Sequence, residues 1–231
     1  MKIWGLAATL GFAILAFGLG QAVGVGALTA LKTFDPLRVD YDGTAIAIVT
    51  LVGNPVHVIT LVLAVRLIGA DLFAYFGLDV PRRRDVTIAV AGLAGVIVLG
   101  DALTLAFGRD MVPPFQLEIH RSAQADGTLI WLWLALIVVA PIGEELLFRG
   151  FLFRGFVREK RDVVPGILVI ALIWSLLHVQ YDWFGASVVF AIGMLFGYAR
   201  LYSGSTTLVI LLHMLLNLES VLETVVVLGW V

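Results

Sequence analysis

Long apolar stretches alternate with short polar clusters along the whole chain. The hydrocarbon core of a bilayer is about 30 Å thick, and a helix of roughly 20 apolar residues crosses it. The pattern therefore predicts an all-α, polytopic transmembrane helical bundle of about seven helices, with room for a short eighth at the end. The predicted helices cover Ile3 to Leu31, Gly43 to Ala70, Val86 to Phe107, Thr128 to about Arg158, Val164 to Gln180, Trp183 to Tyr202 and Ser205 to Val231.

The amino-acid composition supports a membrane protein. Hydrophobic residues make up 61% of the chain and charged residues 14%, against roughly 45–50% and 25% in soluble domains. A soluble core could not bury this surplus, so we expect one integral membrane domain over residues 1–231, with membrane lipid around it. The first apolar stretch is longer than the 7–15 apolar residues of a secretory signal, which favours a retained helix.

Charge and cysteine content narrow the chemistry. The formal net charge is −2 and the basic residues form short clusters, so nucleic acid is not an expected partner. The chain contains no cysteine, which excludes thiol catalysis and thiolate metal ligands. His, Glu, Asp and Asn side chains must therefore carry any reaction.

Basic residues are distributed unevenly between the two predicted sides of the membrane. Cytoplasmic loops carry the excess of Lys and Arg, and nine such residues share the side of the N-terminus against four on the other side. The N-terminus is therefore predicted to be cytoplasmic, in the plasma membrane if the organism is a prokaryote. The nine are Lys2, Arg82, Arg83, Arg84, Arg154, Arg158, Lys160, Arg161 and Arg200, and the four are Lys32, Arg38, Arg109 and Arg121.

The polar segment from Asp71 to Asp85 is predicted to lie at the cytoplasmic interface. Its aromatic side chains, Phe73, Tyr75 and Phe76, suit the boundary between headgroups and hydrocarbon. Its three arginines suit anionic lipid.

Four polar side chains lie deep within predicted spans, where an ionisable group costs roughly 2.5–3.5 kcal/mol and usually serves a function. Glu144 and His178 each lie about 21 Å along their helices from the basic loop that joins them, at about 1.5 Å per residue. His213 and Asn217 lie about 12 and 18 Å from the same side. Their spacing of four residues puts them on one helical face. These four side chains are therefore expected to meet.

Such a group of side chains suits two kinds of hydrolytic site. A glutamate can take a proton from water, one histidine can share it, and a second histidine with an asparagine amide can stabilise an oxyanion. Glu144, His178 and His213 could equally bind a divalent metal such as zinc, with a fourth position open for water. The residues alone leave both versions open.

Other buried polar residues have structural explanations. Glu145 and Arg149, four residues apart, are predicted to form an internal salt bridge. Asn54 and His57 flank Pro55, so a proline kink is expected there, with a polar side chain for the carbonyl that the proline leaves free.

Three carboxylates lie towards the outer ends of their predicted helices. Glu219 and Glu223 follow the last candidate site residue and are expected to face solvent or the outer headgroups. Asp101 suits a membrane interface and a site equally well.

Three motifs follow one another in the second half of the chain. Glu144 to Gly150 reads EELLFRG, which contains the pattern EExxxR. Trp174 precedes His178 by four positions, and a glycine-containing helix then leads to His213 and, four residues later, Asn217. The ordered set resembles the CAAX-protease and bacteriocin-processing family (CPBP, or Abi) of intramembrane endopeptidases, in which phenylalanine is usual at the position of Trp174.

The resemblance implies a peptide-hydrolysing catalytic core at about residues 128–217. It implies that Glu144 and His178 activate the attacking water, and that His213 and Asn217 stabilise the tetrahedral oxyanion. The first 120 residues are similar to the family only through the segment FGLDVPRRRD.

The same resemblance assigns Glu145 and Arg149 to the support of the site. Members are often labelled metalloproteases, but a metal-free glutamate mechanism is a serious alternative, so the cofactor stays open between a divalent metal and none. The HExxH signature of zinc proteases is absent from the sequence. The implied substrate is a peptide or protein, either membrane-associated or lipidated, and its identity is not implied.

Three functions compete. The leading hypothesis is an intramembrane endopeptidase that cuts a peptide delivered to a cavity open to the cytoplasm or the inner leaflet. The first alternative is a non-catalytic binding or bacteriocin-immunity protein on the same scaffold. The second is a transporter with buried Glu and His as relay groups, although no internal repeat is recognisable.

Overall fold

The computed structural model describes residues 2–31 and 41–230. Within these two ranges it contains nine helices and no strand, which confirms the predicted all-α polytopic bundle. A short 3-10 turn at Lys160–Asp162 precedes the seventh helix. The helices are α1 (Leu6–Leu31), α2 (Gly43–Leu67), α3 (Leu72–Phe76), α4 (Arg83–Ala106), α5 (Pro114–Ala125), α6 (Leu129–Phe156), α7 (Val163–Leu177), α8 (Trp183–Ser203) and α9 (Thr206–Val227).

Six of the described helices are long and apolar enough to cross a membrane, namely α1, α2, α4, α6, α8 and α9. The other predicted span, α7, has 15 residues and is about 22 Å long at 1.5 Å per residue. It is too short for the full hydrocarbon core of about 30 Å. The chain is an integral membrane protein, and its described residues form six such helices and one shorter apolar helix that packs against the bundle through one face.

The orientation of the bundle stays a prediction. Lys32 and Arg38, counted on the outer side, lie outside the described residues, as does Val231 at the end of the last predicted helix.

Helix α5, between α4 and α6, was not predicted, because its 12 residues are too few and too polar for a span. Its buried residues recur at helical spacing and are Gln116, Ile119, His120 and Ala123.

The core of the bundle surrounds α6. Every residue from Glu145 to Phe153 is buried, as expected of a central helix enclosed on all sides. Helices α1 and α2 pack against one face of it, and α7, α8 and α9 contact its other faces. Both glutamates of the EExxxR motif therefore lie at the centre of the protein.

Helices α1 and α2 approach each other at glycines. The four-residue spacing of Gly20 and Gly24 predicts such an approach, and the structure confirms it. A Cβ atom on Gly24 would lie 2.6 Å from the carbonyl oxygen of Val49, and one on Gly20 would lie 2.9 Å from that of Gly53. Because backbone blocks both positions, neither tolerates a side chain without movement of the helices.

The variant Gly24→Val is expected to lose about 1–3 kcal/mol of stability, the usual cost of overpacking. Gly26→Val is the matched control, because a Cβ atom at Gly26 meets nothing within 4 Å. Thermal unfolding in detergent should give a lower Tm for the first variant than for the second. Equal melting temperatures would contradict the close approach of the two helices.

The prediction for the segment Asp71 to Asp85 is correct in part. Phe73 is 68% exposed, as expected at a membrane interface, but Tyr75 and Phe76 are only 0% and 2% exposed. Their rings pack into the bundle because Gly150 on α6 has no side chain, and a Cβ atom there would lie 2.8 Å from the Phe76 ring. The segment is thus a buried anchor as well as an interfacial one.

Candidate active site

Helix α6 is irregular on both sides of the paired glutamates. It changes to π-helical hydrogen bonding at Ala135–Val139 and again at Leu146–Leu152. Glu144 and Glu145 lie in the short α-helical stretch between these two segments. Single π-helical turns are rare and frequently mark functional sites.

The first π-helical turn positions Asn217. In such a turn each N–H bonds to the carbonyl five residues earlier, and the N–H of Ala140 bonds in this way to Ala135. The next residue, Pro141, has no N–H, so the carbonyl of Leu136 lacks the corresponding donor. Asn217 on α9 donates its Nδ2–H to that carbonyl at 2.7 Å. A carboxamide has two such hydrogens, and this bond uses one of them.

Glu145 is the centre of a buried ion network. Its Oε1 accepts from Nη1 of Arg149 at 3.0 Å and from Nδ1 of His213 at 2.8 Å. Glu145 and Arg149 are completely buried and His213 is 3% exposed. The predicted salt bridge is therefore present, and its carboxylate also holds a candidate site histidine, which was not foreseen.

Further contacts hold the guanidinium of Arg149 in place. Its Nη2 donates to the carbonyl of Gly193 on α8 at 3.2 Å. Its Cζ lies 4.7 Å from the ring centre of Trp174 and 5.3 Å from that of Phe196. Aromatic faces stabilise a cation that is removed from water.

Trp174 contacts three of the candidate residues. Its indole N–H donates to Oε2 of Glu144 at 2.7 Å, and its backbone carbonyl accepts from Nδ1 of His178 at 2.8 Å. Its ring meets the ring of His213 edge to face, with 5.5 Å between centroids. The sequence showed Trp174 only as a replacement for the usual phenylalanine, which carries no signal for these contacts.

A cavity of about 650 Å³ lies against these residues. Its lining includes Trp174, His178, His213 and Asn217, but not Glu144. The predicted convergence of the site is therefore observed for two histidines and the asparagine in one cavity. Glu144 joins them through its hydrogen bond to the wall at Trp174.

The rim of this cavity consists of the connections α4–α5 and α7–α8. Arg109 and Asp182 pair across it, and Asp182 caps α8 by accepting from the N–H of Gly185 at 3.0 Å. The Gly185 N–H and the Arg109 guanidinium hold the pKa of Asp182 below its usual range. Both ends of the ion pair are exposed, so its contribution to stability is small.

The position of the rim differs from expectation. Chain direction puts the connections α4–α5 and α7–α8 on the side opposite the arginines at the start of α4. The expected cavity was open to the cytoplasm or the inner leaflet. With the predicted cytoplasmic N-terminus, the observed rim is instead on the non-cytoplasmic side.

Three carboxylates share the large cavity. Asp101 on α4 and Glu219 and Glu223 on α9 all line it. Glu219 and Glu223 were expected to face solvent or the outer headgroups. They line it because α9 continues in one piece to Val227, and Glu219 and Glu223 follow the cavity residue Leu216 by three and seven positions, which puts them on its helical face.

A second cavity, of about 140 Å³, lies between α1, α2 and α6. Glu144 lines it, together with Asn54 and His57. A Cβ atom on Gly143 would lie 1.9 Å from Oδ1 of Asn54, so this side chain packs directly against the backbone next to Glu144. Pro55 is inside the unbroken helix α2, and its two polar neighbours face the site region.

The metal candidates do not form a metal site. Across the two described ranges, no group of three or more His, Asp or Glu side chains is arranged to hold a metal ion. His178 and His213 line the large cavity, whereas Glu144 lines the small one, so the three side chains do not face one common space. Since zinc enzymes use three converging protein ligands, this arrangement of Glu144, His178 and His213 does not fit one.

Comparisons with known proteins agree with the motifs. Residues 126–218 match the family described as type II CAAX prenyl endopeptidase Rce1-like, which confirms the resemblance predicted from the sequence. An uncharacterized 24.3 kDa protein of Escherichia coli is 31% identical over 122 residues. That alignment covers 52% of this chain and 54% of the relative, so the chain spans about half the length of the curated relative it matches. No solved structure matches the chain significantly.

Proposed function

We propose that the protein is an intramembrane endopeptidase that hydrolyses a peptide bond with water activated by Glu144 and His178. One observation carries the proposal. Trp174 contacts Glu144, His178 and His213 at once, beside a cavity of about 650 Å³ that can receive a substrate. The match of residues 126–218 to an endopeptidase family supports it.

Glu144 acts as the general base in this proposal. Its Oε2 is held by the indole of Trp174, and Oε1 is left to accept a proton. As the water oxygen bonds to the peptide carbonyl carbon, one O–H bond breaks and the proton moves to Glu144. The same proton then moves to the leaving amine nitrogen as the C–N bond breaks, which restores the carboxylate.

His178 orients the attacking water. Its Nδ1–H donates to the carbonyl of Trp174, so the neutral ring has Nε2 left as an acceptor. His178 follows the last residue of α7 and lines the large cavity. A water held by Nε2 is therefore beside the substrate.

His213 and Asn217 stabilise the oxyanion. The Nδ1–H of His213 donates to Glu145, so a protonated His213 has Nε2–H left for the developing negative charge. The second amide N–H of Asn217 is the other donor. Loss of one oxyanion donor typically lowers kcat by about 10²–10³.

Glu145 and Arg149 are positioning residues. Glu145 fixes the ring of His213 through a hydrogen bond of 2.8 Å, and Arg149 balances the charge of Glu145. Neither residue lines either cavity. Both therefore act on the reaction through His213.

A membrane-associated peptide is the proposed substrate. The cavity wall between α4 and α8 is apolar and includes Val96, Ile97, Val188 and Ile192. The polar site residues share the same cavity. This combination suits a peptide with apolar side chains or an attached lipid next to the bond that is cut.

The test is cleavage in water enriched in oxygen-18. Purified protein in detergent is mixed with fluorescence-quenched peptides and with a membrane extract of the organism that produces it, and the products are identified by mass spectrometry. We expect new carboxyl termini that carry one oxygen-18 atom, none with Glu144→Gln, and no effect of a chelator. A folded protein that cuts nothing but retains a host peptide would instead indicate the binding or immunity function.

The variant Trp174→Phe is expected to lower kcat about tenfold and leave KM unchanged. It keeps the backbone carbonyl that holds His178 but removes the indole N–H from Glu144, and a hydrogen bond to a charged group is worth about 1.5–3 kcal/mol. Trp131→Phe is the control, because Trp131 is 54% exposed on the same chain. Steady-state kinetics with a cleaved peptide checks the difference, and an unchanged kcat would show that the indole does not position the base.

A further inference from the structure

Glu144 lines the small cavity and not the large one. The two cavities have no lining residue in common. The hydrogen bond between Glu144 and Trp174 joins their walls, because Glu144 lines the small cavity and Trp174 the large one. The proposed base is therefore accessible from a compartment that the substrate does not occupy.

This compartment is polar, and His57 in its lining has a buried ring nitrogen without a partner. It is lined by Gln21, Thr50, Asn54, His57 and Glu144 among smaller and apolar residues. The ring of His57 is 95% buried, since its exposure is 5%, and its Nε2 has no hydrogen-bond partner within the protein. Polar cavities of sufficient size hold water, whereas dry cavities are apolar.

The size of the compartment sets what it can hold. A water molecule takes roughly 30 Å³ in the liquid, so about 140 Å³ accommodates about four or five of them. This volume is too small for a peptide segment. With two to four polar partners required for each buried water, the side chains present suffice for a small cluster.

Hydrolysis inside a membrane needs a reserve of water. Each turnover consumes one water molecule, whose oxygen goes to the new carboxyl group and whose two hydrogens go to the two products. A peptide in the large cavity displaces the bulk solvent there and separates Glu144 and His178 from the rim. The water that His178 orients must then reach it from elsewhere.

We infer that the small cavity is a water chamber that supplies the attacking water to Glu144 while a peptide fills the large cavity, with His57 as the residue that retains this water. The inference rests on the proposed function. It adds a role for α1 and α2, which lie outside the residues that match the endopeptidase family. It also explains why a histidine without a protein partner for Nε2 is buried beside Glu144.

Hydration of the chamber can be measured without any enzyme activity. The chain has no cysteine, so Thr50→Cys introduces a single thiol at the chamber wall. Iodoacetamide reacts with the thiolate, which forms only where water is present. Ile14→Cys is the control, because Ile14 is 72% exposed on α1 but faces the lipid. We expect the thiol of Thr50→Cys to react at least tenfold faster than that of Ile14→Cys. The additional substitution His57→Leu should slow the reaction of the Thr50→Cys thiol several-fold.

Kinetics test the role of His57. His57→Leu is expected to lower kcat about tenfold and to leave KM within twofold of the wild-type value. His57→Gln keeps a polar side chain and is expected to retain most of the wild-type kcat. His120→Leu is the matched control, because His120 is also buried with an unpartnered Nε2 but lines neither cavity. A purely structural role would lower Tm and spare the kcat of folded protein, whereas removal of an unpartnered polar group should leave Tm unchanged or raise it.

The two measurements separate the inference from the proposed function. Equal labelling of Thr50→Cys and Ile14→Cys, or a wild-type kcat for His57→Leu, overturns the water chamber even if the protein is a protease. Rapid labelling that depends on His57 supports the chamber even if no peptide is cut. That outcome would contradict the proposed function but not the water chamber.

Discussion

Replacement of Glu144 by glutamine should lower kcat/KM for a cleaved peptide by about 10³-fold, within the range of 10²–10⁴ typical of general acid–base catalysis. Glutamine has the same shape as glutamate, and its side-chain oxygen can still accept the hydrogen bond from the indole of Trp174. In the wild-type protein this bond joins Nε1 of Trp174 to Oε2 of Glu144 at 2.7 Å. It cannot take a proton from water. The loss should therefore appear in kcat, with KM and Tm close to wild type.

The control for this variant is Glu159→Gln, because Glu159 is exposed in the turn before α7. A Glu144→Gln enzyme that keeps more than a tenth of the wild-type rate would exclude Glu144 as the base. His178, whose ring also contacts Trp174, would then be the group to test.

The second large effect concerns stability. Glu145→Leu should cost about 3–5 kcal/mol, because it leaves the completely buried Arg149 without its counter-charge. Arg149→Leu should cost less, since the Nδ1–H of His213 still donates to Oε1 of Glu145. Thermal unfolding in detergent measures both losses.

The double variant Glu145→Leu with Arg149→Leu separates folding from catalysis. Replacement of a whole buried ion pair by apolar residues is often neutral or stabilising, so the Tm should recover most of the loss. Activity should stay at least 10²-fold below wild type, because His213 no longer has the acceptor that fixes its ring. Recovery of both properties would show that Glu145 is a structural residue without influence on His213.

The long helices could be predicted because each of them corresponds to one apolar stretch of the sequence. Apolar stretches of membrane length predicted α1, α2, α4, α6, α8 and α9. Helix α5 escaped because its buried face of four residues is not an apolar run. Periodicity over 12 residues, with Pro114 at the first position, was the signal available.

For the candidate site, the sequence predicted how far along its helix each side chain lies. A constant rise per residue placed His178, His213 and Asn217 at similar heights, and one cavity contains all three. Which side chain touches which depends on the rotation and the irregularities of the helices. The bond from Asn217 to Leu136 requires the π-helical turn before Pro141, and no spacing rule indicates where such a turn occurs.

Long-range pairings explain the other differences. Glu145 and His213 are 68 positions apart in the chain, so their hydrogen bond depends on the packing of α9 against α6. Glu219 and Glu223 were assigned to solvent from their position near the end of the chain. Their place in the cavity wall follows from the same packing.

The side on which the large cavity opens decides how the protein could be inhibited. Its rim lies opposite the arginines at the start of α4, which is the outer face if the N-terminus is cytoplasmic. In a plasma membrane, substrates and products of the proposed reaction would then exchange with the cell exterior. A charged peptide that cannot cross the membrane would reach the site in intact cells, and resistance by efflux from the cytoplasm would be ineffective against it.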